Sequence, residues 1–163
     1  MKSILSVLVE NKAGILARTA GLFARRGFNI ESLAVGETAD PRVSRMTIVV
    51  DGDLNVIGQV EKQLNKQIDV IKVRALNADE AVRREAALIK VNAEASALGQ
   101  ITDIANIMKA NIVDLSPSTA TLEIIDAPER VKQLLELLMP YGITEMARTG
   151  TVALLKGPGS LSV

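Results

Sequence analysis

The stretch Ser3–Leu16, SILSVLVENKAGIL, decides the predicted fold. Its first part, Ser3–Val9, is short, apolar and rich in β-formers, which predicts a buried strand. The polar turn Glu10–Gly14 then leads into a helix. The first N–H groups of a helix are unpaired and lie at the positive end of its dipole, so this turn can hold a carboxylate without a basic side chain. A free amino acid is a ligand of this kind.

Further along the first half, apolar residues recur first at helical and then at strand spacing. The helix pattern ends at Arg25-Arg26-Gly27, with cations in the last turn and a glycine after it. The resulting order is strand, helix, strand, strand, helix, strand. The predicted elements after the first strand are a helix over 14–25, strands over 28–36 and 43–50, a helix that opens at Asp51–Asp53 and a strand over 68–73.

A charged stretch, Asn77–Arg84, breaks the apolar pattern, and the same order then returns. We therefore predict an α+β fold of two tandem ferredoxin-like βαββαβ modules, 1–77 and 85–163, joined by the linker 78–84. The predicted elements of the second module are a strand over 85–93, a helix through Leu98–Met108, strands over 112–115 and 119–125, a helix started by a capping box at Asp126 and Glu129 with Pro128 in its first turn, and a strand from Ile143 to about Leu155.

The second strand of the first module, 28–36, is predicted at a sheet edge, because right-handed crossovers in a split βαβ unit place it there. It contains neither lysine nor proline, which commonly protect exposed edges. Pairing with the same strand of a second copy about a two-fold axis covers this edge. Asn29 of one copy then faces Asn11 and Gly14 of the other.

The crevice between the two copies suits a small aliphatic amino acid. Backbone N–H groups near Ala13, Gly14 and Ile15 are predicted to bind its carboxylate, and the amide oxygen of Asn11 or Asn29 its ammonium group. Three simpler interpretations stay open: Asn11 caps the helix, Gly14 allows close packing, and Asn29 is an ordinary edge-strand residue.

Composition excludes several classes of function. The 163 residues carry no formal net charge, no cysteine and no histidine, and aromatic residues make up 2%. Thiol and imidazole catalysis and most metal sites are therefore disfavoured, as is an RNA-binding module, which needs aromatic residues on its sheet. Neither a secretory leader nor a membrane-spanning run is recognised, which favours a cytoplasmic protein. The basic clusters Arg25-Arg26, Lys62–Lys66 and Arg83-Arg84 are interpreted as solvated surface or linker.

The motifs Asn11–Leu16 and Arg26–Leu33 resemble the ACT domain of the small, regulatory subunit of acetolactate synthase (acetohydroxyacid synthase). Further stretches match the same family through the rest of the chain. They are Asp40-Pro41, Ser44–Ile48, Gln59–Leu64 and Asp69-Val70 in the first module, and Arg84-Glu85, Asp114 and Arg148–Gly150 in the second, which resembles the family's C-terminal domain.

The resemblance implies a non-catalytic homodimer that binds the large catalytic subunit, raises its activity and confers feedback inhibition by valine in branched-chain amino-acid biosynthesis. It implies no cofactor on this chain, and thiamine diphosphate, Mg and FAD on the catalytic partner. Leucine and isoleucine are not distinguished from valine, and a stand-alone ACT-type sensor with a different partner is the alternative. The residues that match the family's effector site are Asn11, Ala13, Gly14 and Ile15 on one side, and Asn29 and Ile30 on the side supplied by the other subunit.

Overall fold

The computed structural model describes residues 2–163, without the side chain of Leu54. Two βαββαβ modules follow one another and a short strand comes last. The elements are β1 (Lys2–Glu10), α1 (Ile15–Arg26), β2 (Ile30–Glu37), β3 (Val43–Asp51), α2 (Leu54–Leu64), β4 (Val70–Leu76), β5 (Ala81–Asn92), α3 (Ala95–Met108), β6 (Asn111–Leu115), β7 (Thr119–Asp126), α4 (Pro128–Leu138), β8 (Ile143–Arg148) and β9 (Val152–Leu155), with 3₁₀ turns at Ala78–Glu80 and Met139–Tyr141.

The first sheet has the strand order β2-β3-β1-β4, and each neighbouring pair is antiparallel. This order confirms that β2 lies at an edge. Helices α1 and α2 cover one face, and Asp53 caps α2 by accepting a hydrogen bond from the Val56 N–H. The buried core on that face is formed by Leu5, Val7, Val9, Ile15, Leu22, Phe23, Met46, Ile48, Val50, Ile57, Val60 and Leu64.

The second sheet repeats this arrangement in the order β6-β7-β5-β8, and the short β9 also pairs with β5. Its core residues come from the strands and from both helices of this module, including the fully buried Ile89, Ile101, Leu122 and Leu134. The predicted α+β fold of two ferredoxin-like modules is therefore confirmed.

The C-terminal segment, Gly150–Val163, is grouped by its contacts with the first module rather than with the second. Side chains alternate along a strand, so Ile4 and Leu8 point away from the helices, to the other face of the first sheet. Ile4 packs there with Ala153, and Leu8 with Leu161. The C-terminal segment therefore covers the sheet face that the helices leave open.

Two basic side chains of the sheet hold the end of this segment. Arg45 Nη2 donates to the Leu161 carbonyl oxygen at 2.8 Å, and Lys72 Nζ donates to that of Ser162 at 3.0 Å. Both cations thus satisfy backbone acceptors that have no sheet partner.

The prediction of one last strand from Ile143 to about Leu155 is wrong, because the structure has two strands, β8 and β9. The strand is interrupted between β8 and β9, and both of these strands pair with β5. Gly150 packs against β2 so closely that an added Cβ would lie 2.6 Å from the Leu33 carbonyl oxygen. A glycine is therefore needed for the chain to pass.

The predicted capping box at Asp126 and Glu129 is also wrong. The N-cap of α4 is Ala127, which has no side-chain acceptor. Asp126 Oδ1 instead accepts from the Ala127 N–H at 2.7 Å, and Glu129 pairs with Arg83 at 2.8 Å. The Glu129 carboxylate is therefore shared between the Arg83 guanidinium and its own backbone N–H, and it does not reach back to cap the helix.

Several strand boundaries differ from the prediction. β2 spans Ile30–Glu37 rather than 28–36, and the largest differences are in β4 and β5. β4 begins at Val70, and Ile68, the predicted start, is 95% exposed. β5 begins at Ala81 rather than Glu85, since charge does not break this strand: Glu85 is buried but accepts a bond from Arg148 Nε at 2.8 Å. A paired carboxylate is tolerated where an unpaired one is not.

Candidate functional site

Backbone hydrogen bonds hold the turn between β1 and α1. The Asn11 N–H donates to the Arg42 carbonyl oxygen at 2.8 Å, and the Lys12 N–H to that of Glu10 at 2.9 Å. The chain then reaches Gly14, the N-cap of α1. The turn is thus fixed against the loop that joins β2 to β3.

Asn11 joins this turn to the far end of β2. Its Nδ2 donates to Glu37 Oε1 at 3.0 Å and to the Pro41 carbonyl oxygen at 2.9 Å. Both partners are acceptors, which fixes the orientation of the amide. Asn11 does not cap α1, so that simpler interpretation is excluded.

Gly14 is required by its backbone conformation. Its φ is +85°, in the left-handed region that side chains other than glycine, asparagine and aspartate rarely adopt. The nearest atom to an added Cβ is Arg18 Nη1, at 4.0 Å, so close helix-to-sheet packing is not the reason for the glycine. An added Cβ would therefore make one ordinary contact, with the flexible Arg18 side chain.

The start of α1 has no side-chain cap and no acid in its first turn. Ala13, Gly14 and Leu16 are exposed, whereas Ile15 is buried in the core and anchors the turn. Uncapped N–H groups beside an exposed apolar side chain fit the carboxylate and side chain of an aliphatic amino acid.

Asn29 and Ile30 lie at the opposite end of β2 from the Asn11 contact. Asn29 is exposed just before the strand, and Ile30 packs partly into the first core. β2 has 8 residues, which at about 3.3 Å per residue separates its two ends by roughly 23 Å. One chain therefore does not bring Asn11 and Asn29 together.

Asp40 organises the loop between β2 and β3 to which Asn11 is bonded. Arg42 donates to it through Nε at 3.0 Å, through Nη2 at 2.8 Å and through its N–H at 3.0 Å. These hydrogen bonds, with the Arg42 charge, lower the pKa of the Asp40 carboxyl from 3.8 to about 2. The Asp40 carboxyl therefore stays ionised, and bonded to Arg42, at pH values well below its ordinary pKa.

Because the folded pKa of Asp40 is depressed, its contribution to stability is complete above the ordinary pKa near 3.8 and is lost as the pH falls toward about 2. We expect an NMR titration of its carboxyl carbon to give a midpoint near that lower value. In Arg42→Gln the midpoint should move back toward 3.8, since only the backbone bond remains. An unchanged midpoint in this variant would contradict the assigned cause.

Two family models match the chain in tandem. A model described as "AHAS small subunit-like ACT domain" matches residues 5–72, and one described as "Small subunit of acetolactate synthase" matches residues 84–157. The chain belongs to the acetolactate synthase small-subunit family. This confirms the family resemblance seen in the sequence, and it makes the first module an ACT domain.

Known small subunits are similar to this chain over nearly its whole length. The acetolactate synthase small subunit of Mycolicibacterium smegmatis is 51% identical and the match covers 94% of this chain and 91% of that protein. A probable small subunit from Archaeoglobus fulgidus is 50% identical over 96% and 98%. The crystal structure of the Thermotoga maritima small subunit superposes with a TM-score of 0.90 at 39% identity, covering 98% and 99%.

The described part of the chain comprises residues 2–163 without the Leu54 side chain. Within that part of the chain, no group of three or more acidic residues is placed to hold a metal ion. None of its helices is long and apolar enough to cross a membrane.

The sequence did not reveal how the C-terminal segment meets the ACT edge strand. The Thr151 N–H donates to Ser32 Oγ on β2 at 3.1 Å, and Gly150 packs on the neighbouring Leu33 backbone. Gly150 belongs to the stretch Arg148–Gly150 that resembles the family, but its contact with β2 depends on residues far away in the chain.

Proposed function

We propose that this small subunit dimerises through β2, binds and activates the catalytic large subunit of acetolactate synthase, and confers feedback inhibition by valine. Valine is held between two ACT domains, by Asn11, Ala13, Gly14 and Ile15 of one copy and by Asn29 and Ile30 of the other. Catalysis, with thiamine diphosphate, Mg and FAD, belongs to the large subunit, and both subunits reside in the cytoplasm.

The observation that carries this proposal is the position of Asn11. It is bonded at the Glu37 end of β2, and β2 is an edge strand, paired with β3 on one side and with no other strand of residues 2–163 on its outer side. An antiparallel copy paired on β2 would bring its own Asn29 end to this position. The two-fold axis thus assembles a site that a single chain lacks.

The chemistry of these groups suits a zwitterion with an aliphatic side chain. Charge-assisted hydrogen bonds contribute about 1.5 to 3 kcal/mol each, and burial of an isopropyl group contributes a similar amount. After association costs, a micromolar to sub-millimolar affinity is expected, which suits a metabolite sensor. A methylene difference is worth only about 1 to 3 kcal/mol, so leucine and isoleucine compete measurably with valine.

The alternative function, a stand-alone amino-acid sensor, would use the same binding site. It would not need a second module that matches the acetolactate synthase small subunit. The match of residues 84–157 to the small-subunit model favours the regulatory-subunit function. The test that separates the two functions is a reconstitution. Purified small subunit is mixed with the catalytic subunit, and acetolactate formation is measured with and without valine. We expect activation on mixing and inhibition by valine; the absence of both would contradict the proposal.

Asn29→Ala should weaken valine binding about 10-fold, because one charge-assisted hydrogen bond from the second copy is lost. Isothermal titration calorimetry of the purified small subunit measures this change. Asn111→Ala is the matched control: Asn111 is exposed at the start of β6, the edge strand of the second module. Equal affinities for the two variants would argue against a shared pocket.

A further inference from the structure

A concave site lies within the first module, where the C-terminal ends of α1 and α2 meet. Its volume is about 430 Å³, in the range of small-molecule sites. Arg26, Lys62 and Lys66 line it together with three side-chain amides and the ring of Phe28. No carboxylate lines this pocket within the described part of the chain.

The three cations of this pocket have no ion-pair partner among residues 2–163. Arg26 Nη2 donates to Gln63 Oε1 at 3.1 Å, which leaves the amide nitrogen of Gln63 free to act as another donor. The formal net charge of the whole chain is zero, so the positive charge at this pocket is a local concentration and not a property of the whole surface. Its complement is a ligand that offers only acceptors and carries more than one negative charge.

Capping of the helices does not account for these cations. At the end of α1 the carbonyl oxygens of Phe23 and Ala24 already accept backbone N–H bonds, at 3.0 and 3.2 Å. At the end of α2 those of Glu61 and Gln63 do the same, at 2.9 and 3.3 Å. The basic side chains are therefore available to a ligand.

We propose that this pocket binds a small phosphorylated molecule. Arg26 would grip phosphate oxygens with its planar fork, Lys62 and Lys66 would neutralise the remaining charge, and Phe28 would contact the carbon skeleton. An edge-to-face contact with the buried Phe23, with ring centroids 6.4 Å apart, fixes the position of the Phe28 ring. The pocket lies at the opposite end of α1 from Gly14, and its lining includes none of the residues proposed to bind valine, although Asn29 directly follows Phe28.

Calorimetric titration of the full-length protein with inorganic pyrophosphate tests the proposal, with citrate titrated in parallel as a carboxylate of comparable charge. We expect saturable binding of one pyrophosphate per chain and weaker binding of citrate. No saturable binding of pyrophosphate at millimolar concentration would overturn the proposal, and so would tighter binding of citrate.

The decisive comparison is between two adjacent arginines. Arg25 and Arg26 both lie in the last turn of α1, so both act on the helix dipole, but only Arg26 lines the pocket. Arg26→Gln should weaken pyrophosphate binding about 10-fold, and Arg25→Gln by less than about 2-fold. Equal losses in the two variants, or no loss in either, would overturn the site. Lys62→Gln gives a second variant with the same expectation as Arg26→Gln.

Discussion

A Gly150→Val variant is expected to lose about 1 to 3 kcal/mol of the folding free energy of the first module. A Cβ at Gly150 would lie 2.6 Å from the carbonyl oxygen and 2.7 Å from the carbonyl carbon of Leu33. These are backbone atoms of a paired strand, so they cannot move aside as a flexible side chain would. Relief requires the C-terminal segment to lift from β2.

Native-state hydrogen exchange measures this loss for each module separately. The Thr151 N–H, which donates to Ser32 Oγ, should lose protection first. Gly159→Val is the control in the same segment, because its nearest contact is the flexible Leu155 side chain at 3.4 Å; we expect a change within about 0.5 kcal/mol. Wild-type protection of Thr151 in Gly150→Val would show that the close approach is unimportant.

The two modules are predictable from the sequence because apolar periodicity is a local property. The alternation in β3 places Met46, Ile48 and Val50 on one face, and that face packs against the helices. The return of the C-terminal segment is different in kind. Leu161 is buried by packing against Leu8 and Val43, and no local sequence pattern near residue 161 predicts that contact.

The candidate valine site shows the same division between local and long-range information. The need for glycine at position 14 follows from a local turn, and the structure supplies its physical reason in a φ of +85°. The partners of Asn11, Glu37 and Pro41, come from an element that is distant in sequence. The pocket at Arg26 and Lys62 is not predictable from the sequence for the same reason, because these two residues lie on different helices and each alone looks like solvated surface.

Gly14→Asp should give a small subunit that still activates the catalytic subunit but no longer responds to valine. The new carboxylate would stand where the carboxylate of valine binds, and like-charge contact costs several kcal/mol, so affinity should fall more than about 100-fold. Calorimetry and inhibition of the reconstituted enzyme both measure this. Gly27→Asp is the matched control: Gly27 flanks the other end of α1, its φ is +70°, and no atom lies within 4 Å of an added Cβ. Both variants carry the same left-handed backbone strain, which aspartate tolerates better than most residues.

Mixing Gly14→Asp chains with Asn29→Ala chains tests whether the site is shared between copies. In a mixed dimer, one site contains both substitutions and the other contains neither, because each site takes its turn from one chain and its asparagine from the other. Valine should therefore bind with wild-type affinity to one site per mixed dimer, although neither parent protein binds it well. If Asn29 acted within its own chain, every site in the mixture would carry one substitution, and mixing would restore nothing.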